Sequence, residues 1–432
     1  MAEIIPEMHT MGSINPHTLF VDLNRVTRGE IDDARAGQGS PKGWEIYEHE
    51  ARHWRDLLAT VWGRSYLDLL FQTYDAILKT PDNQLDTTFA QVLKLFDRDR
   101  SILFPSYYKY VLPEARSLPS GQRWSMAFST GIKVASDGSL HEREPFIFVR
   151  FDAGPIHLAR QPVSEGALLE GRALAAEDAA TTAWLAMRPE GEDVVTWRLK
   201  EAEQRDQFYD PELTTYSVAP HVVAYATGIE EIRENLNLTY KLADVALNLV
   251  DAGFSRLTPT ADFNLPPNGR LNGFRKSGNR GYAFCCLAFA MRGVVQVDGT
   301  GRKAIETAMR RAGLPTIAKV YADAAAAMSR VPGRAASEPR LAAIRLKLIA
   351  AGAALHGVPN FDADVADLCP TAPDAAPLIG DADCNVFSFG ASPLDFAESE
   401  FLHECHERYR KVLRSALRAA RGLEFGFTDF VY

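Results

Sequence analysis

Residues 40–63 read SPKGWEIYEHEARHWRDLLATVWG, with His49-Glu50-Ala51-Arg52-His53 near the centre. Ser40-Pro41 offers a cap and a first-turn proline, and Gly63 offers a stop. Between them Ile46, Tyr47, Trp54, Leu57, Leu58 and Val61 recur at helical spacing, which predicts a helix over 42–62. On that helix His49 and His53 stand one turn apart on one face. Two imidazoles so placed can reach one Zn²⁺, each at about 2.0–2.1 Å. Glu50, beside the first of them, then sits next to the metal without ligating it, where it can take a proton from water. The alternative is two histidines on a charged helix face, with Glu48, Arg52 and Arg55 as neighbours.

A catalytic zinc needs a third protein ligand and an open position. Downstream, Ser164 caps an expected helix whose apolar side holds Ala167, Leu168, Leu169, Ala173 and Leu174. Glu165, Glu170 and Glu177 are its acids. Glu165 stands in the first turn, where an acid suits the helix N-terminus. Glu170 is followed by Gly171 and Ala173, small residues that let helices approach, so it is the expected ligand. Glu177, seven residues on, falls on nearly the same face, as an alternative ligand or a residue that orients one. Otherwise all three are solvated acids. Tyr216 and His221, in the run 215–221, are candidates to steady an oxyanion, with Tyr216 preferred. Core packing is the other reading for both.

These residues resemble the gluzincin branch of zinc metallopeptidases, the thermolysin-like arrangement. His49, Glu50, His53 and Glu170 carry the likeness, and the longer strings at 49–63 and 169–173 are similar to a group of bacterial HExxH proteins. The resemblance implies zinc bound by His49, His53 and Glu170, with Glu50 as general base and a peptide or protein as substrate. It covers two short helices. The strands read at 124–158 fall between them, whereas familiar members place most of their sheet before the HExxH helix. The metzincin pattern HExxHxxGxxH is excluded, because position 56 is Asp and position 59 is Ala.

The rest of the chain predicts an α+β, mainly helical protein with a small β-sheet and a C-terminal helical region. We divide it at 1–228, a zincin-like metal-binding domain, and 229–432, a helical domain. A strand is expected at 18–26, a polar link at 28–43, and helices at 66–78 and 87–96. Strands follow at 124–134 and 144–158, around an Asp137-Gly138 turn. A helix at 229–252 is closed by Gly253, and 254–281 reads as a long loop. Helices are expected at 302–312, 317–328, 340–355 and 393–421, and 358–390 reads as an acidic surface excursion.

The 432 residues are 46% hydrophobic and 24% charged, the balance of a folded domain. A net charge of −9 argues against a nucleic-acid partner. No apolar run is long enough for a membrane span, and the first twelve residues lack the pattern of a secretory leader, so a cytoplasmic location is expected. Five cysteines without CxxC spacing read as buried free thiols. His403 and His406 are spaced i, i+3 but sit among Arg408, Arg410, Lys411 and Arg414, which suggests a solvated face. No GxSxG elbow and no GxGxxG fingerprint occurs. The rival functional readings are a zinc that merely staples two helices and a helical interaction module without metal.

Overall fold

The expected strand at 18–26 is two three-residue strands, β1 (Ser13–Asn15) and β2 (Phe20–Asp22). The computed structural model describes residues 11–113, 124–188, 193–263, 270–330, 337–364 and 375–421. Within the segment read as a polar link lies a helix, α1 (Arg28–Arg35). Its capping box has Thr27 Oγ1 accepting from Glu30 N at 3.2 Å and Glu30 accepting from Thr27 N at 2.7 Å. The HExxH helix, α2, spans Lys42–Ala59, and Ser40 Oγ accepts from its first amide. Gly63 does not end it. Thr60, in extended conformation, breaks the chain there, and its Oγ1 both donates to Asp56 O and accepts from Gly63 N. Gly63 lies inside the next helix, α3 (Val61–Lys79), because a Cβ would run into the Asp56 and Leu57 carbonyl oxygens at this sharp corner.

Helix α4 (Phe89–Ile102) leads into a four-stranded sheet of order β3-β6-β5-β4. Its strands are β3 (Tyr110–Val111), β4 (Ser125–Val134), β5 (Leu140–Ala153) and β6 (Ile156–Pro162). All pairings are antiparallel. The single strand expected at 144–158 is split by Gly154, whose φ of 58° is the left-handed turn between β5 and β6. Ser164 caps α5 (Glu165–Ala186) as expected, accepting from Ala167 N at 3.2 Å.

Beyond α5 come α6 (Asp193–Phe208), α7 (Thr214–Thr227) and α8 (Ile232–Asn248). The helix expected to run to Gly253 stops at Asn248, and Gly253 belongs to a short α9 (Asp251–Arg256). The loop expected at 254–281 is partly helical, with α10 (Leu271–Lys276) and the start of α11 (Arg280–Ala290); residues 264–269 lie outside the described residues. Arg280 explains the turn: its guanidinium donates to the Ala246 and Leu249 carbonyls, both at 2.6 Å, closing the C-terminal end of α8. Then follow α12 (Val295–Asp298), α13 (Arg302–Arg311), α14 (Ile317–Met328) and α15 (Pro339–Leu355).

Part of the expected surface excursion returns to the core. β7 (Leu378–Gly380) pairs parallel with β2, β8 (Val386–Phe387) pairs antiparallel with β7, and Ile379 and Val21 are fully buried at their junction. Helix α16 (Phe396–Arg421) ends the described chain. In it His406 is buried against the His17 ring, with centroids 4.6 Å apart, while His403 is exposed, so the two do not share an ion. Of the cysteines, 285, 286 and 405 are buried free thiols, Cys384 is exposed, and Cys369 lies outside the described residues.

The protein is thus α+β and mainly helical, with two large hydrophobic cores and two small clusters among the described residues. One packs the β4–β6 sheet against α7, α8 and α11; the other gathers α2, α3, α4, α15 and α16 around the β1–β2–β7–β8 sheet. Helix α5 serves both. Ala167 and Leu168 enter the first core, and Leu169, Ala180 and Trp184 enter the second. Each core draws residues from both sides of the 228/229 boundary. Gly63→Ala is expected to destabilise the protein by about 2 kcal/mol, since the corner it occupies has no room for a methyl group. A denaturant midpoint equal to wild type would show that the α2–α3 corner can relax.

Candidate metal centre

Helices α2 and α5 run antiparallel, as their side-chain contacts show. Glu45 meets Thr181 at 2.7 Å, His49 meets Glu177 at 2.5 Å, His53 meets Glu170 at 3.4 Å, and Asp56 meets Arg172 at 3.3 Å. Over the first three pairs residue numbers rise on α2 as they fall on α5, and Arg172 sits one step back, reaching Asp56 from beside Glu170. Gly171 is not what brings these two helices together. A Cβ on it would lie 3.0 Å from Thr239 Cγ2 and 3.5 Å from Ala219, so it sets the approach of α5 to α8 and α7.

At the centre of the α2–α5 seam, His49 Nε2 and His53 Nε2 lie 3.1 Å apart. Glu170 Oε2 lies 3.3 Å from the first and 3.4 Å from the second. A tetrahedral ion with ligands at about 2.0–2.1 Å has edges of about 3.3–3.4 Å, so the triangle has the dimensions of one face of a zinc polyhedron. Glu170 Oε2 has no hydrogen-bond partner among the described residues, although it is buried. A buried carboxylate oxygen aimed between two ring nitrogens is satisfied by a shared cation. Among the described residues this is the one group of His, Cys, Asp and Glu side chains assembled closely enough to hold a metal.

The acids at the seam divide by role. Glu177 Oε1 accepts a hydrogen bond from His49 Nδ1–H, and in the neutral ring this leaves the Nε2 lone pair directed at the triangle. Glu165 is absent from the cluster and lies 3.7 Å from Arg98 instead. Asp56 is turned away, towards Arg52 at 2.6 Å and Arg172. Burial would raise the Glu170 carboxyl, but His53 and His49 outweigh it and hold it at about 2. Burial opposes a charge on His49, yet Glu170 and Glu177 together hold its imidazolium well above the usual range.

Glu50 differs from the other acids of α2. Glu45 is held by Lys200 at 2.9 Å, Glu48 by Arg55 at 3.3 Å and the Trp44 indole at 3.2 Å, and Asp56 by Arg52. Glu50 is buried, and its Oε2 has no hydrogen-bond partner among the described residues. Burial pushes its carboxyl up, opposed by His49 and His53. Gly12 packs directly above it, where a Cβ would come within 3.1 Å of Glu50 Cγ.

Glu50 and His49 open on a cavity of about 120 Å³ that Tyr216 and Glu177 also line. The Tyr216 ring lies 6.3 Å from that of His49. Burial, then the charges of Glu170, Glu50 and Glu177, push its phenol well above the usual range, so it stays a hydrogen-bond donor. His221 lies elsewhere. Its Nε2 meets Phe208 O at 2.8 Å and its ring stacks on Trp124, which makes it a core residue whose pKa burial lowers to about 4.

Sequence reasoning missed Lys42, Gln207 and Ser217, which line the cavity, and Lys109, a half-buried ammonium within electrostatic reach of Glu170 and donating to Thr215 Oγ1 at 3.4 Å. They stand singly on three helices and the segment before β3, and no spacing links them. No family model, curated protein or solved structure matches the chain.

We expect purified protein to take up one zinc ion per chain, and Glu170→Ala to abolish stoichiometric loading. Glu177→Gln should lower the affinity by about 10–100-fold, because His49 loses the group that fixes its tautomer. Wild-type affinity, followed by competition with a chromogenic chelator, should weaken as pH falls from about 8 to 6. Protons then compete for His49, whose imidazole holds them above its ordinary range. Affinity that stays flat over that interval would contradict the assignment of His49 as a ligand.

Proposed function

We propose that the protein is a zinc-dependent hydrolase, a metallopeptidase of gluzincin-like design, acting on peptide bonds. The observation that carries this is the His49–His53–Glu170 triangle beside Glu50, the one acid of α2 with no ion pair among the described residues, at the wall of a cavity. A zinc ion held by His49, His53 and Glu170 would supply Lewis acidity at the reacting carbonyl and its water.

The protein groups do the rest. Glu50 accepts a proton from the attacking water. The water oxygen bonds to the carbonyl carbon, the C–N bond breaks, and Glu50 returns the proton to the departing amine. Tyr216, protonated throughout, donates to the oxygen that gains charge. Glu177 keeps His49 in its ligating tautomer.

A zinc that only stapled α2 to α5 would be closed by a fourth protein ligand. The cavity reaching His49 and Glu50 favours catalysis over that role. Glu50→Gln should retain zinc and fold while lowering turnover of a peptide library by about 10²–10⁴-fold. Undiminished turnover in that variant would remove Glu50 as the base, and absence of zinc from wild type would remove the proposal.

A further inference from the structure

Three hydrogen-bond donors line the cavity beside the proposed metal centre. Lys42 contributes from the first residue of α2, Gln207 from the end of α6, and Ser217 from α7. Three features set these donors apart. Lys42 is placed where a cation opposes the helix dipole, a position that favours an anion nearby. Its acidic neighbour Glu45, at 3.7 Å, already has closer partners, Lys200 at 2.9 Å and Thr181 at 2.7 Å. Ser217 Oγ, on a residue only 1% exposed, has no hydrogen-bond partner among the described residues.

The acids facing the same space are Glu50 and Glu177. Glu177 already accepts from His49, and it also lies within electrostatic reach of Lys42. Apolar wall is supplied by Ile46, Leu174 and Phe208. The volume of about 120 Å³ is below the roughly 300–1,000 Å³ of sites for drug-sized ligands, so it suits one residue rather than a run of several.

We propose that this pocket reads a free carboxylate on the substrate, through the Lys42 ammonium, the Gln207 amide and the Ser217 hydroxyl. The centre then acts on peptide-like amides that carry a carboxylate close to the bond that breaks. The word substrate rests on the hydrolase reading; carboxylate recognition does not. The group is a chain-terminal carboxylate or an acidic side chain, and the test separates these.

Zinc-loaded full-length protein is titrated calorimetrically with N-acetyl-leucine, N-acetyl-leucinamide and N-acetyl-glutamic acid α-amide. Wild type should bind at least one carboxylate probe about tenfold or more tightly than the leucinamide, the scale of a hydrogen bond to a charged group. The tighter of the two acids identifies the carboxylate as terminal or side-chain. Lys42→Met should bring the ratio near one, and Lys42→Arg should retain most of it. Equal binding of acid and amide by wild type, or binding of none of the probes, overturns the proposal. So does a preference that survives Lys42→Met, which would belong to the metal alone. Because the readout is binding, failure to cleave peptides sinks the hydrolase reading and leaves this result to be judged separately.

Discussion

The structure depends on a constraint at the α2–α5 seam, where ionisable groups are buried in numbers that no hydrophobic packing offsets. His49, His53, Glu50, Glu170 and Arg172 are all nearly inaccessible. Buried charge is tolerated only when paired, and removing one partner is far more damaging than never having the pair. The antiparallel register of the two helices is therefore fixed by charge as much as by shape. Sliding α5 by one turn would separate Glu45 from Thr181, His49 from Glu177 and Asp56 from Arg172 together.

The far side of the seam acts as the lock. Arg172, two residues from Glu170, pairs with Asp56, three residues from His53, and with Asp244 of α8 at 2.5 Å. Tyr321 of α14 donates to Asp244, and the Arg172 guanidinium lies over the Tyr240 ring at 4.5 Å. Helices from both halves of the chain thus brace the strip of α5 that carries Glu170. A ligand carboxylate must be held to a fraction of an ångström, and a rigid supporting network achieves that better than a single helix contact.

What was legible in the sequence is what short-range rules govern. The HExxH spacing, the Ser164 cap and the choice of Glu170 with Glu177 behind it all rest on separations of a turn or two along one helix. The misread parts depend on distant partners. β7 was hidden because it is three residues long and pairs with β2, more than 350 residues earlier. Gly63 looked like a stop because a glycine needed for close approach has the same sequence signature as one that ends a helix. The break after Asn248 is held by Arg280, invisible without the fold. By contrast α1 has a local signal in Thr27 and Glu30, a capping box set among polar residues.

The two flanks of the His49–His53–Glu170 triangle are not equivalent, and that asymmetry bears on what the site can do. His53 and Glu170 are each 1% exposed and face the braced interior, while His49 is 8% exposed and meets the cavity together with Glu50. A site built only to fasten helices gains nothing from leaving one flank open or from burying there a carboxylate oxygen with no hydrogen-bond partner among the described residues. Such a carboxylate disfavours the folded state, and its presence is explained when the group is used with something that enters from the cavity. The same reasoning connects Glu50 to Lys42 and Ser217 along the cavity wall. Each is in a position that local structure alone does not favour, and all three face the same small volume. Under the proposed reading, a ligand entering that cavity accounts for all three.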